Sequence, residues 1–143
     1  MYRFTKITAL LLVFTAEIAI AACSGTPKFS DVADKDWTLV KVHINSADID
    51  FDRNKLKQEG FGEIFTLRFD AERISGTAAP NHYSAPYTLA DKQAITIKQA
   101  MSTLMAPLRE PEKLREYDYF LYLQNAYKWN IANGNLELYS KGA

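Results

Sequence analysis

Cysteine occurs once in the 143 residues, at position 23. No intrachain disulfide can form, and Cys₄ or Cys₂His₂ zinc sites are excluded. Histidine occurs only as His43 and His82, which are not spaced as an i, i+4 ligand pair. Excess charge of either sign is also absent, since 17 Lys and Arg balance 17 Asp and Glu. A polyanion binder needs clustered positive charge to neutralise phosphates, so no nucleic-acid partner is expected. The chain has no G-x-S-x-G, H-E-x-x-H, P-loop or G-x-G-x-x-G motif, and no Ser, His and Asp spacing proposes a triad. The expectation is therefore a protein that is not an enzyme and uses no cofactor and no metal. Internal repeats and low-complexity tracts are missing as well. Apolar residues make up 48% and aromatics 13%, which suffices for one domain with a real core.

The lone cysteine ends a patterned N-terminal segment. Arg3 and Lys6 form a basic start, an apolar run follows from Ile7 to Phe14, and Ala21-Ala22-Cys23 closes it with small residues. This is the layout of a secretory signal. A transmembrane helix needs about 20 predominantly apolar residues, and Glu17 interrupts the run. Ile20-Ala21-Ala22-Cys23 resembles a bacterial lipobox, departing from it in Ile20, where Leu is preferred, and in Glu17. The resemblance implies cleavage before Cys23 and modification of that cysteine with two or three acyl chains, a stable membrane anchor. Arg3, Lys6 and Glu17 leave with the leader, so the remainder stays near neutral and bulk charge does not draw it to anionic lipid. Ser24 after the cysteine points, by analogy with enteric bacteria, to the outer membrane rather than the inner. The expected divisions are a signal peptide over 1–22, a lipidated N-terminus and tether over 23–35, and a folded domain over 36–143.

Within that domain, residues 36–44 are β-branched and aromatic enough for a strand. Asp52 caps a short helix that Gly60 stops. Phe65, Leu67 and Phe69 alternate with Thr66 and Arg68, the pattern of a half-buried strand. Gly76 inside a strand pattern signals a bulge or a close backbone approach. Short strands are expected around 86–89 and 94–98. Pro111 suits the first turn of a helix over about 111–125 that buries Leu114, Tyr117, Phe120, Leu121 and Gln124. Asn133-Gly134 between alternating runs is a hairpin signal. The expected fold is α+β: a small antiparallel, strongly curled β-sheet or open β-barrel with one main helix.

Few residues suggest chemistry. Asp48, Asp50 and Asp52 alternate, but an EF-hand loop counted from Asp48 needs Gly and Glu at its sixth and twelfth places. Those places hold Arg53 and Glu59, so a solvated charged turn is expected. His43 falls on a strand surface. His82 sits in the loop Asn81-His82-Tyr83, where function concentrates, although a turn residue satisfying backbone groups is the commoner role. Tyr119 and Tyr122 fall off the expected apolar helix face and mark a candidate partner or ligand surface, Tyr being enriched at interfaces. Core packing is the commoner fate of such residues. Met101 and Met105 would line a lipid-accommodating cavity or fill gaps in the core.

Several segments fall in one known order. Trp37-Thr38-Leu39, Leu67-Arg68-Phe69, Ile74-Ser75-Gly76 and Asn81-His82-Tyr83-Ser84-Ala85-Pro86-Tyr87 come first. Ile95-Thr96-Ile97, Ser102-Thr103-Leu104-Met105-Ala106, Glu116 with Phe120 and Leu123, and Asn133-Gly134-Asn135-Leu136-Glu137-Leu138 follow. In order and spacing they resemble the META-domain, or HslJ-like, family over roughly residues 36–140. The resemblance implies a bacterial envelope lipoprotein, linked in some members to heat shock and antibiotic tolerance. Where relatives often carry a pair of cysteines, this chain has Pro80 and Pro107, so no function of that pair transfers. The expected function is a periplasm-facing, lipid-anchored module that binds an unknown protein or apolar ligand in envelope stress or maintenance. Candidate surface residues are Asn81, His82, Tyr83, Tyr119 and Tyr122. A pilotin-like assembly lipoprotein, and an inhibitor or assembly factor of a secreted enzyme, are the alternatives.

Overall fold

Buried and half-buried residues alternate without a break along Leu10–Thr15, the signature of a strand with one face on a core. This is strand β1 of the computed structural model, which describes residues 9–17 and 25–141. Cys23, with the lipidation expected there, lies outside the described residues, as do both basic residues of the expected leader. A 3₁₀ turn, Phe29–Asp31, precedes β2 (Trp37–Ile44), β3 (Ala47–Asp50), α1 (Arg53–Gln58), β4 (Thr66–Phe69) and β5 (Arg73–Thr77). Then come β6 (His82–Ala90), β7 (Ala94–Ile97), β8 (Met101–Ser102), α2 (Glu116–Gln124), β9 (Ala126–Ala132) and β10 (Asn135–Ser140).

Eight strands form a closed antiparallel ring in the order β1, β10, β9, β7, β6, β5, β4, β2 and back to β1. β3 extends from β2, and β8 pairs with β6 outside the ring. β1 makes the closure, with Leu12 opposite Leu138 of β10 on one side and Val42 of β2 on the other. The apolar run expected to serve as a leader therefore builds part of the barrel wall in this chain. Leu10, Leu12 and Phe14 are buried in the core, each worth roughly 1.5–3 kcal/mol by removal from water.

Local sequence explains most elements. Asp52 caps α1, its carboxylate accepting from the backbone N–H groups of Asn54 and Lys55 at 3.0 and 3.1 Å. Asn133 and Gly134 both take positive φ in the hairpin between β9 and β10, the geometry of a tight primed turn. Asn45 and Ser46 do the same between β2 and β3, so Asp48 and Asp50 lie on a strand rather than in the expected charged turn. There the Asp48 carboxylate meets His43 Nδ1 at 2.6 Å and Lys41 Nζ at 3.0 Å. The hydrogen bond from His43, then that from Lys41, lowers the Asp48 pKa. The alternation at Phe65, Leu67 and Phe69 is realised, all three being buried.

Phe29, inside the segment 23–35 expected as a tether, packs edge-on against Phe69 and Trp129 with centroids 5.3 Å away in both cases. Val32 is buried beside it and its carbonyl accepts from Trp37 Nε1 at 2.9 Å. The main helix is shorter than the expected 111–125. Pro111 and Leu114 are buried in non-helical chain, and Arg115 is still extended where it caps α2. The helix presents Glu116, Tyr119, Phe120 and Leu123 to the barrel, an i, i+3, i+4, i+7 stripe. Tyr117, assigned to the core by the sequence pattern, is 69% exposed. Moving the helix start to Glu116 makes that residue's hydrogen bonds set the rotation.

Candidate functional site

Glu116 fixes one corner of the molecule. Its Oε1 accepts the backbone N–H groups of Ala79 and Asn81, each at 2.8 Å, and its Oε2 accepts from Asn81 Nδ2 at 2.7 Å. Asn81 spends its remaining capacity on the segment after β8. Its Oδ1 accepts from Thr103 Oγ1 and from the Met105 N–H, both at 2.8 Å, and its Nδ2 also donates to the Met105 carbonyl at 3.1 Å. One buried asparagine thus joins the 79–81 loop, α2 and the irregular segment 103–105. Hydrogen bonds to a charged acceptor are about twice as strong as neutral ones, which makes this a firm anchor.

Beyond the anchor the chain turns apolar and exposed. Residues 101–110 all lie at the surface, with Leu104 and Leu108 at 98% and 107% exposure. Met105, Pro107 and Leu108 form one wall of a groove whose other parts include Phe61, Ile64 and Pro80. The groove encloses about 640 Å³, within the range of small-molecule and peptide sites. Arg109 closes one end, its guanidinium 4.8 Å from the Phe61 ring centroid and bonded to the Glu59 carbonyl. Arg53 holds the opposite wall by donating to the carbonyls of Gly62 and Ile64 at 3.0 and 2.8 Å. Partial burial lowers its pKa from the ordinary guanidinium value. Pro80 and Pro107, where the resemblance expected cysteines, both line this groove.

The residues singled out from the sequence divide into groups. Asn81 is buried and structural, holding the groove from behind. His82 is exposed, its Nδ1 3.0 Å from Thr77 Oγ1, and its backbone N–H donates to Thr103 Oγ1 at 3.1 Å. Tyr122 is partly buried against the core. Tyr83 and Tyr119 do not belong to a surface. Both are buried, their hydroxyls 3.1 Å apart and 2.7 and 3.0 Å from the Thr66 carbonyl. Burial raises both phenol pKa values above the ordinary tyrosine range, so both stay neutral. For Tyr119 the commoner role, core packing, holds; the sequence pattern puts it off the apolar face because it phases the helix from Pro111 instead of Glu116.

Gly76 crosses the same point. A Cβ there would lie 2.1 Å from the Thr66 carbonyl oxygen, which is the close backbone approach expected of it. The groove residues Phe61 and Leu108, and the exposed Leu104 next to them, carry no functional signal in the sequence, though Leu104 and Leu108 flank a proline in a stretch without strand or helix periodicity. Among the described residues, no three His, Cys, Asp or Glu side chains converge as a metal site would need. No described helix is long and apolar enough to cross a membrane.

The META domain family model matches residues 30–143, most of the chain and every barrel strand except β1. The chain belongs to the META domain family. Neither the comparison with curated proteins nor that with solved structures finds a match. The match gives this META domain its family. It also separates β1 from the part of the barrel that the family describes.

Proposed function

We propose that this META protein is a cell-envelope lipoprotein, anchored through lipidated Cys23 and facing the periplasm from the outer rather than the inner membrane. Its domain works as a binding module rather than an enzyme, engaging a protein partner or apolar ligand in envelope stress or maintenance. The observation that carries the binding role is the groove beside residues 101–110. Leu108 on its wall and Leu104 beside it project into solvent, while Asn81, held by Glu116, fixes Thr103 and the Met105 backbone on either side of Leu104. Exposed apolar clusters on an otherwise polar surface mark interaction sites, and a fixed backbone lowers the ordering cost of binding. The lipobox resemblance at 20–23 supports the anchor, and Ser24 supports the outer membrane.

Two measurements test the reading. Metabolic labelling with a fatty acid should mark the wild type, and label persisting in Cys23→Ala would refute the anchor. A photocrosslinking residue at position 108 in cells should yield a discrete adduct that Phe61→Asp abolishes. Absence of any adduct from positions 104 and 108, together with no copurifying apolar molecule, would refute the binding role.

A further inference from the structure

Cleavage before Cys23, the reading proposed above on which this inference rests, removes the whole of β1. β2 then keeps its partners β3 and β4, and β10 keeps β9, but each loses every bond on its other edge. Adjacent strands lie about 4.8 Å apart, so a missing strand leaves a gap of about 10 Å between β2 and β10. Its floor is apolar: Leu39 and Val42 on one side, Leu136 and Leu138 on the other, all buried when β1 is in place. Closing a seven-strand ring would shrink the barrel around Trp37, Phe65, Phe69 and Tyr119, which already fill it as fully buried side chains. Overpacking a filled core is itself costly.

We infer that the processed protein carries an open slot between β2 and β10 that binds an extended segment of another secreted or envelope protein, paired antiparallel to both strands. β1 defines the chemistry of that segment. It places bulky apolar side chains at three alternate positions, Leu10, Leu12 and Phe14, and uncharged residues between them. Two rows of backbone N–H and C=O groups line the slot, and only another backbone satisfies both. An acyl chain would fill the floor and leave those groups unbonded. A second copy fits poorly, because its exposed edge strand β3 carries Asp48 and Asp50 in place of the apolar alternation. The slot also shares no residue with the groove lined by Phe61, Met105 and Leu108.

The test uses the processed, acylated protein extracted from membranes in mild detergent, with its N-terminus defined by intact mass. The probe is a synthetic peptide of residues 9–17 followed by three lysines, compared with the same peptide carrying Leu12→Asp and Phe14→Asp. Because the substitutions sit in the peptide, folding of the protein is not at issue. The native peptide should bind saturably and slow hydrogen exchange at the slot-facing amides of β2 and β10 about tenfold or more. The aspartate peptide should bind about 100-fold more weakly, since it would bury two charges. Equal binding of both peptides, or slot amides already protected without peptide, would overturn the inference and leave the lipoprotein reading intact. An intact mass that still includes residues 9–17 would overturn the lipoprotein reading, and the slot with it.

Discussion

The side-chain amide of Asn81 lies 2.7 Å from one carboxylate oxygen of Glu116, whose other oxygen holds the backbone N–H groups of Ala79 and Asn81. Every donor in this arrangement points at one residue. Glu116→Ala would leave three donors without their acceptor and should lower stability by roughly 2–4 kcal/mol in urea denaturation. Asn81→Asp sets a second carboxylate against Glu116. That like-charge contact should lower the urea midpoint below that of the wild type at neutral pH. A wild-type midpoint for Asn81→Asp would contradict the geometry.

Gly76 faces the Thr66 carbonyl at a distance no side chain tolerates. Gly76→Ala should cost about 3 kcal/mol, the upper end for overpacking, because the obstacle is backbone and cannot rotate away. Near-wild-type thermal stability in Gly76→Ala would show that β4 and β5 do not cross so closely.

Tyr83 and Tyr119 have folded pKa values raised above the unfolded value by burial. Above about pH 10 the unfolded chain gives up these protons and the native barrel keeps them, so stability must fall as pH rises. The slope approaches about 1.4 kcal/mol per pH unit for each tyrosine. Below pH 9 the pair contributes no pH dependence. Denaturation series between pH 8 and 11 should show a shallower alkaline decline in Tyr119→Phe than in the wild type.

Phe14 tests β1 directly. In full-length chain kept unprocessed by Cys23→Ala, Phe14→Ala should lower stability by roughly 3–5 kcal/mol, as for a buried aromatic. An unchanged unfolding midpoint would place the strand outside the folded barrel.

Leu108 supplies the opposite case. It has no burial to lose, so Leu108→Lys should leave stability within about 0.5 kcal/mol of wild type. The same change should abolish the adduct formed from position 104 in cells.

Much of the barrel was readable because short-range signals carried it. Asp52 as a cap, Asn133-Gly134 as a turn, Gly76 as a crossing and the 65–69 alternation all depend on neighbours in sequence. The residues that misled were governed by distant partners. Glu116 rotates α2 through bonds to residues 35 and 37 positions earlier, and no periodicity within the helix reveals that. Tyr119 falls off the expected apolar face, and becomes a surface candidate, for the same reason. The Asn45-Ser46 turn was missed because neither residue is glycine, although both adopt positive φ. At the site, Asn81 was legible as important but not as buried. The groove was not legible, because it forms where two irregular segments meet.

β1 sets a clock as well as closing a wall. Of its two neighbours, β2 follows it closely in the chain, whereas β10 is the last of the described strands to be synthesised. At roughly 5–20 residues per second, some 6–25 seconds separate the emergence of residues 10–15 from that of residues 135–140. Until then the barrel cannot lock around the apolar run, which stays available to whatever receives it first. If the proposed leader is exported, the order of synthesis gives its receptor that interval to capture it. A chain completed first would fold those residues into its core.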